Sequence, residues 1–266
     1  MQLQIRKSKF VIRNYLMAKW QERAALLFKT EGLNNLKNSN VLVVGLGGVG
    51  SFAAEFLARA GVGNLTIVDG DVIDITNINR QLPALHSTVG MLKVHVVGDR
   101  LMDINPELNL IRVEEFLSPE RAFEIVTPDF DYVLDCIDSV TPKLNLIAAC
   151  KRKRVKVISS MGAGGKMDAS KVKVANIKNT VHCHLAKTIR KRLKKMKIDK
   201  LKVVFSSEIQ DASSLKMTDG TNYKRSFYGT NSYMPCLFGL YAAETVIRHL
   251  LKNDSNDNQN QNSNLI

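Results

Sequence analysis

A glycine-rich segment near the start of the chain is the first feature whose residues suggest chemistry. Gly45, Gly47, Gly48 and Gly50 follow the apolar run Val41 to Val44 and precede a segment with helical apolar spacing. Glycines at a strand–helix junction allow a tight turn and a close approach of backbone N–H groups to phosphate, and the helix N-terminus adds a positive dipole. The segment therefore predicts a nucleotide-binding loop, with glycines that serve only helix–strand packing as the simpler alternative.

Carboxylates follow two of the predicted strands. Asp69 and Asp71 come directly after Leu65 to Val68, and Asp135 and Asp138 lie at the end of a later strand. The carboxyl ends of parallel strands meet at the ligand crevice of such a sheet. There, Asp69 is placed to bind ribose hydroxyls, and one of the two acids Asp135 and Asp138 is placed to hold Mg²⁺ together with phosphate oxygens.

Basic and amide side chains after the second strand distinguish a triphosphate from a nicotinamide ligand. Arg80 lies between Asn77 and Gln81, and Lys93 follows them. A triphosphate carries charge that Arg and Lys match, whereas a nicotinamide cofactor needs neither at these positions. Each cation alone is typical of an ordinary surface, but Arg80, Lys93 and Asp138 together favour ATP over the cofactor of an oxidoreductase.

Strands and helices alternate along most of the chain. This alternation predicts an α/β fold of the Rossmann type, a mostly parallel sheet with helices on both faces. The other predicted elements are helices at 24–35, 91–104, 144–151 and 233–247 and strands at 110–113, 132–135 and 155–159.

Composition divides the chain into three parts. Residues 1–19 form a basic arm, 20–251 the nucleotide-binding domain, and 252–266 a polar tail whose composition predicts disorder. The 38 Lys and Arg residues against 25 Asp and Glu give a net charge of +13, which favours a polyanionic partner, nucleic acid before an anionic membrane surface. No signal peptide or membrane span is recognisable and the cysteines are scattered, so we expect a soluble protein of the reducing cytoplasm.

Cys183 stands between His182 and His184. Three interpretations remain open: an ordinary loop, a metal site, and a thiol activated by its basic neighbours. A structural zinc site would need a second cluster of ligands, and the sequence has no Cys-x-x-Cys pair. Cys136, within a predicted strand, is expected to be a small core residue.

Several motifs together resemble the ubiquitin-activating-enzyme-like superfamily, which includes the ThiF and MoeB adenylyltransferases. They are Gly45-x-Gly47-Gly48-Val-Gly50-Ser, Val68-Asp-Gly-Asp71, Asn77-x-Asn79-Arg80-Gln81, Lys93, Ile104-Asn-Pro106 and Asp135-x-Ile-Asp138-Ser139. Within the superfamily, the closer resemblance is to the tRNA threonylcarbamoyladenosine dehydratases. Four features indicate it: Asn79-Arg-Gln-Leu-Pro-Ala-Leu85 with Ser87-Thr-Val-Gly90, Asp138-Ser-Val-x-Pro-Lys143, Gly162-Ala-Gly-Gly165 and Val204-Phe-Ser-Ser-Glu208.

The resemblance implies an ATP-dependent reaction on a tRNA adenosine beside the anticodon. The carboxylate of its threonylcarbamoyl group would attack the α-phosphate, and a nucleophile in the same side chain would then close a ring and release AMP. The resemblance also implies Mg²⁺, a monovalent cation (Na⁺ or K⁺) and a homodimer, with sulfur-transfer proteins as candidate partners.

The resemblance assigns roles to residues as well. The implied catalytic residues are Arg80, Lys93, Asp138 and, as an arginine finger reaching the partner subunit's site, Arg23. Asp138 would also bind the Mg²⁺. The implied nucleotide-binding residues are Gly45, Gly47, Gly48, Gly50, Asp69, Asp71, Asn77 and Gln81.

A segment rich in Lys and Arg predicts a basic amphipathic helix at about 185–202. Its apolar side contains Leu185, Ile189, Leu193 and Met196. The predicted tRNA-binding residues opposite are Lys187, Arg190, Lys191, Lys194 and Lys195. Contacts of this kind would bind phosphates without selecting a base sequence. A solvated lysine-rich helix is the alternative.

Two other functions compete with tRNA dehydration. A sulfur-carrier-protein adenylyltransferase of the ThiF or MoeB type would act on a small protein's C-terminal carboxylate, but such relatives generally have two zinc-binding Cys-x-x-Cys pairs, which this sequence lacks. The second competitor is a protein that binds nucleotide without turnover. The complete set of Arg80, Lys93 and Asp138 disfavours it.

Overall fold

The computed structural model describes residues 19–218 and 226–252. The predicted basic arm (except Lys19) and polar tail (except Lys252) lie outside the described residues. The described strands are β1 (Asn40–Val44), β2 (Asn64–Val68), β3 (Asn109–Val113), β4 (Tyr132–Asp135), β5 (Val157–Ser160), β6 (Val172–Asn176), β7 (Lys202–Ser206), β8 (Leu215–Met217) and β9 (Ser226–Tyr228). The longer described helices are α1 (Glu22–Asn38), α2 (Gly50–Ala60), α3 (Lys93–Ile104), α4 (Pro119–Ile125), α5 (Val140–Arg152), α6 (His184–Lys195) and α7 (Met234–Leu250).

Within these residues, β1 to β7 form one sheet in the order β3-β2-β1-β4-β5-β7-β6, and β8 pairs only with β9. All neighbours in the large sheet are parallel except β6, which is antiparallel to β7. Helices α1, α2, α3 and α7 pack on one face and α4, α5 and α6 on the other. Because β4 and β5 are covered on both faces, they are buried along their whole length. The predicted α/β fold is confirmed.

β1 lies where the strand order reverses. It pairs with β2 on one side and with β4 on the other, so Val44 is opposite both Val68 and Asp135. Ligands of doubly wound sheets bind beyond the carboxyl ends of the strands at this point. The segments after β1, β2 and β4 therefore share one edge of the sheet, as the sequence predicts for the glycine loop and the two acidic segments.

The basic helix is shorter than predicted. It ends at Lys195 rather than near residue 202, because Lys197 adopts a left-handed conformation with φ 56°. Two backbone hydrogen bonds, Ile198 N–H to Leu193 O and Lys197 N–H to Lys194 O, form the pattern that terminates many helices. Lys202, placed by the prediction at the helix end, begins β7 instead.

The N-terminal turns of α1 leave apolar side chains exposed. Leu26 and Leu27 are 73% and 76% exposed, whereas Leu36 is buried in the core. The helix is interrupted at Lys29, where φ is 61° and ψ is 172°. Its N-terminal turns therefore present leucines to solvent beside Arg23, which is also exposed.

Candidate adenylation site

The loop after β1 is so tightly folded that side chains would not fit at several of its glycines. A Cβ on Gly50 would lie 1.7 Å from the carbonyl oxygen of Gly45. Gly45 has φ +89°, and a Cβ there would lie 3.0 Å from the carbonyl oxygen of Cys136, which follows β4. The loop therefore packs directly on the β4–α5 connection, and α2 begins at Gly50 with its N-terminus at the same edge.

Asp69 connects the glycine loop to the end of β2. Its carboxylate accepts hydrogen bonds from the backbone N–H groups of Leu46 (2.5 Å) and Asp71 (2.8 Å). Burial raises the pKa of Asp69, while the nearby Lys93 ammonium opposes that shift. Lys93 is almost fully buried and forms an ion pair with Asp71 at 2.8 Å. The sequence-predicted Asp69, Asp71 and Lys93 are thus brought together next to the loop.

A short 3-10 turn, Ile75–Asn77, places Arg80 and Gln81 against the glycine loop. The backbone carbonyl of Asn77 accepts hydrogen bonds from the N–H groups of both residues, at 3.0 Å and 2.9 Å. The side chain of Asn77 caps the same turn by accepting a hydrogen bond from Asp74 N–H. In this structure Asn77 therefore positions Arg80 and Gln81 from within the turn.

Arg80 and Gln81 lie close to two glycines of the loop, as the distances from a hypothetical Cβ on each glycine show. A Cβ on Gly48 would be 3.1 Å from the Arg80 carbonyl oxygen, and one on Gly47 would be 3.8 Å from Gln81 Nε2. The Oε1 atom of Gln81 is buried and has no hydrogen-bond partner. Leaving a buried acceptor without a hydrogen bond costs free energy. A ligand bound beside the glycine loop could donate a hydrogen bond to Gln81 Oε1 and remove that cost.

Arg80 also lies near Asp138, which follows β4. The guanidinium donates hydrogen bonds to Thr76 O and Asn79 Oδ1. Burial lowers the pKa of Arg80, and the charge of Asp138 raises it. Arg80 and Asp138 therefore lie close together at the carboxyl edge of the sheet. Asp138 is exposed there, just before α5 begins.

These residues fit ATP with Mg²⁺. The glycine loop offers the close backbone approach that phosphates need, and Arg80 and Lys93 supply positive charge. Mg²⁺ usually needs only one or two protein carboxylates because phosphates and water complete its ligands. An exposed Asp138 beside the phosphate region meets that requirement.

A buried ion pair behind the site was not assigned from the sequence. Asp135 and Lys143 are both 0% exposed, and their charged atoms are 2.8 Å apart. The Lys143 ammonium also donates to Ser159 Oγ (3.1 Å) and Ser160 O (2.9 Å). Asp135 accepts further hydrogen bonds from Ser159 Oγ and Ile137 N–H. Lys143 thus joins α5 to the ends of β4 and β5.

Of the four cysteines in the described chain, Cys150 and Cys183 are buried and Cys136 and Cys236 are half-buried. Burial raises the pKa of both Cys136 and Cys150 to about 12, so both thiols are protonated at neutral pH. Cys183 is buried, and its sulfur accepts a hydrogen bond from Ala186 N–H at the start of α6. Among the residues described, no group of three or more His, Cys, Asp or Glu residues could hold a metal ion.

Helix α6 presents a basic face, defined here as the residues that line one surface depression: His184, Lys187, Thr188, Lys191, Arg192 and Lys195. Its opposite side buries Ala186, Ile189 and Leu193. Lys194 is exposed beside the basic face. Arg192 and Lys195 also line a groove with Thr141 of α5, which begins next to Asp138. The basic face thus extends toward the candidate site.

Arg190 departs from the prediction that it belongs to this face. Its guanidinium is half-buried and donates to Thr180 O at 2.8 Å and Thr180 Oγ1 at 2.6 Å. These bonds use the Nη1 atom and join α6 to the loop before it, and Arg190 does not line the depression. Arg192, which the sequence interpretation left out, lines the depression instead.

Replacing Lys191, Lys194 and Lys195 together by Ala should weaken tRNA binding and flatten its salt dependence. Each lost phosphate contact removes about 0.7 from the slope of log affinity against log salt for single-stranded RNA, so the triple variant should lose about 2. Filter binding or fluorescence anisotropy between low and physiological salt measures the slope. An unchanged slope would identify α6 as ordinary surface. A control of equal charge replaces three exposed cations elsewhere: Lys37, Arg248 and Lys252.

Comparison with known proteins places these features in context. A family model described as the ThiF family matches residues 21–265. The tRNA threonylcarbamoyladenosine dehydratase of Haemophilus influenzae is 36% identical over 242 residues, which cover 86% of this chain and 92% of that protein. The enzyme of the same name from Bacillus subtilis is 40% identical over 238 residues, with 86% and 94% covered.

A solved structure agrees with the sequence comparisons. The Escherichia coli tRNA N6-threonylcarbamoyladenosine dehydratase in complex with ATP superposes with a TM-score of 0.79 at 32% identity, covering 88% of this chain and 94% of that chain. No helix within residues 19–218 and 226–252 is long and apolar enough to cross a membrane.

Proposed function

The chain belongs to the ThiF family, and from that premise we propose that it catalyses the ATP-dependent dehydration of N6-threonylcarbamoyladenosine in tRNA. The main support is the similarity, over most of both chains, to two enzymes of that name, together with a solved relative that binds ATP. The glycine loop, Arg80, Lys93 and Asp138 supply the groups that such a reaction needs at the carboxyl edge of the sheet.

The reaction divides into two steps. The threonyl carboxylate oxygen attacks the α-phosphorus of ATP, and the bond to the β-phosphate breaks, giving an acyl-adenylate and pyrophosphate. A nucleophile in the same side chain then attacks the activated carbonyl carbon, loses its proton and expels AMP, so that the nucleoside loses the elements of water. Because the second step is intramolecular, its effective molarity can reach about 10⁵ M or more, and no enzyme thiol is required.

The roles of individual residues follow from their positions. Asp69 would accept hydrogen bonds from the ribose hydroxyls, and the N–H groups of the glycine loop would bind phosphate oxygens. Arg80 and Lys93 would stabilise the negative charge that develops on the phosphates. Bound at Asp138, Mg²⁺ would neutralise phosphate charge. Asp71 would keep Lys93 oriented through their ion pair. We also propose that a monovalent cation binds, and we assign no residues to it.

We further propose a homodimer in which Arg23 enters the partner subunit's site. Leu26 and Leu27 are strongly exposed on the same helical segment, and a second copy of the chain would bury them. An arginine supplied in trans adds charge stabilisation only in the assembled enzyme. We also propose a cytoplasmic location, with sulfur-transfer proteins as candidate partners.

The main alternative is adenylation of a sulfur-carrier protein's C-terminus. Two features weigh against it: the sequence lacks the paired Cys-x-x-Cys motifs of such enzymes, and α6 presents a basic face suited to phosphates. The second alternative is a protein that binds nucleotide without turnover. The presence of Arg80, Lys93 and Asp138 together counts against it.

ATP–pyrophosphate exchange distinguishes these functions. We expect exchange of labelled pyrophosphate into ATP only when tRNA containing threonylcarbamoyladenosine is present, because the adenylate forms on that carboxylate. Unmodified tRNA is the matched control. Exchange that requires a small carrier protein instead would support the alternative, and no exchange with either substrate would favour nucleotide binding without turnover.

A further inference from the structure

Two aromatic rings lie side by side at the N-terminal end of the basic face. His184 is the first residue of α6 and Tyr228 the last of β9. Their ring centroids are 6.3 Å apart and their planes differ by 12°. This spacing is typical of offset aromatic pairs. His184, which lines the basic face, is exposed, and Tyr228 is half-buried.

The backbone holds Tyr228 firmly in place. Gly165 donates a hydrogen bond to Gly229 O and accepts one from Asp211 N–H, both at 2.8 Å. The Tyr228 ring packs on Gly165, where a Cβ would lie 3.0 Å from the ring carbon Cδ1. Gly165 also has φ +69°, a conformation that favours glycine. The glycine therefore allows a close approach that fixes the ring.

Gln210 holds the backbone of His184, the residue that carries the other ring. Its Oε1 atom accepts a hydrogen bond from the His184 backbone N–H, and its Nε2 atom donates to Gly164 O, both at 3.0 Å. The start of α6 is thereby joined to the same glycine segment that supports Tyr228. Two parts of the chain far apart in sequence thus present nearly parallel rings on one rigid support.

The pair connects the basic face, which includes His184, to the segment that contacts the adenylation site. Two residues after Tyr228, the carbonyl oxygen of Thr230 accepts a hydrogen bond from Asn79 Nδ2 at 2.9 Å. Asn79 in turn accepts a hydrogen bond from Arg80 at 2.9 Å. In the other direction, the basic face begins at His184 itself and continues along α6 through Lys187 and Lys191.

We propose that His184 and Tyr228 form a stacking site for an RNA base next to the adenosine that reacts. Proteins recognise single-stranded RNA loops by stacking unpaired bases on aromatic rings while Lys and Arg contact the phosphates. Along this surface, the basic face is followed by the two parallel rings and then by Arg80. An RNA strand could follow the same order. Its phosphates would contact α6, one base would stack on the rings, and the adjacent reactive nucleotide would enter the site. The inference rests on the proposed function, because it takes tRNA as the substrate.

The test uses two anticodon stem-loop RNAs that contain threonylcarbamoyladenosine, with 2-aminopurine on its 3′ side in one and on its 5′ side in the other. Binding of the protein should quench the fluorescence of one of them. Tyr228→Leu should remove the quenching and weaken binding about 5- to 160-fold, because one stacked base contributes roughly 1–3 kcal/mol. The salt slope should not change, because tyrosine carries no charge.

Two further variants separate stacking from damage to the fold. Tyr228→Phe retains the ring and should retain the quenching. Phe227→Leu removes the preceding aromatic side chain, which points to the opposite side of β9, and should bind RNA like the native protein. His184→Leu should reduce the quenching as Tyr228→Leu does.

The outcomes separate this inference from the proposed function. Quenching needs neither ATP nor turnover, so it reports on the stacking site even if no dehydration occurs. Native protein that dehydrates the modified tRNA, without quenching either RNA and with unchanged affinity in Tyr228→Leu, would overturn the stacking site and leave the proposed function standing. Loss of quenching in Tyr228→Leu and Phe227→Leu alike would also overturn it, because the effect would then belong to the hairpin as a whole.

Discussion

Arg80→Ala should reduce AMP formation by roughly 10²–10³-fold, which is typical for removal of a group that stabilises charge in a transition state. Arg80 is placed for this role by the turn that ends at Asn77, and its guanidinium lies near Asp138. Asp138→Ala should lower the rate comparably, and its Mg²⁺ requirement should shift to higher concentration. Steady-state AMP release under saturating tRNA measures both effects.

A matched control keeps this prediction specific. Arg248 is an exposed arginine of α7 that pairs with Glu244, and Arg248→Ala should leave turnover unchanged. Circular dichroism and thermal unfolding of the three variants should agree with the native protein. Native rates in Arg80→Ala and Asp138→Ala, with the fold intact, would remove these residues from the site.

Lys143→Met should lower the free energy of unfolding by about 3–5 kcal/mol, the usual cost of leaving one member of a buried ion pair without its partner. The loss is expected because Asp135 is fully buried and would keep its charge, or take up a proton, without the ammonium at 2.8 Å. Urea unfolding monitored by circular dichroism measures the change.

A surface ion pair provides the contrast. Lys37 and Glu107 lie 3.4 Å apart, with side chains 65% and 37% exposed. Lys37→Met should change stability by less than about 1 kcal/mol, because solvent screens exposed charges. If Lys143→Met were as mild as Lys37→Met, the buried pair would not be important for stability.

The local arrangement of the nucleotide loop could be predicted because its signals are local. Gly50 cannot carry a side chain, since a Cβ there would meet the Gly45 carbonyl, and Asp69 must follow β2 for its carboxylate to reach Leu46 N–H. Both requirements appear in the sequence as residue types at fixed spacing. Continuous apolar runs likewise identified β1, β2, β4 and β5, whereas β7, which is parallel to β5, was not predicted as a strand.

The remaining features depend on contacts between distant segments. Lys143 resembles any surface lysine near a helix start, and nothing local shows that Asp135 and Ser159 surround its ammonium. Arg190 has the spacing of a surface cation, but its guanidinium turns back to Thr180. The pairing of His184 with Tyr228 brings together α6 and β9, whose relative position follows only from the folded chain.

The central claim is that this chain removes water from threonylcarbamoyladenosine in tRNA through an adenylate. The most direct measurement combines AMP release from ATP with mass spectrometry of nucleosides from the digested tRNA. We expect AMP only with the modified tRNA, together with an equal amount of a nucleoside lighter by one water. AMP release without the mass change, or no AMP while ATP still binds, would contradict the claim.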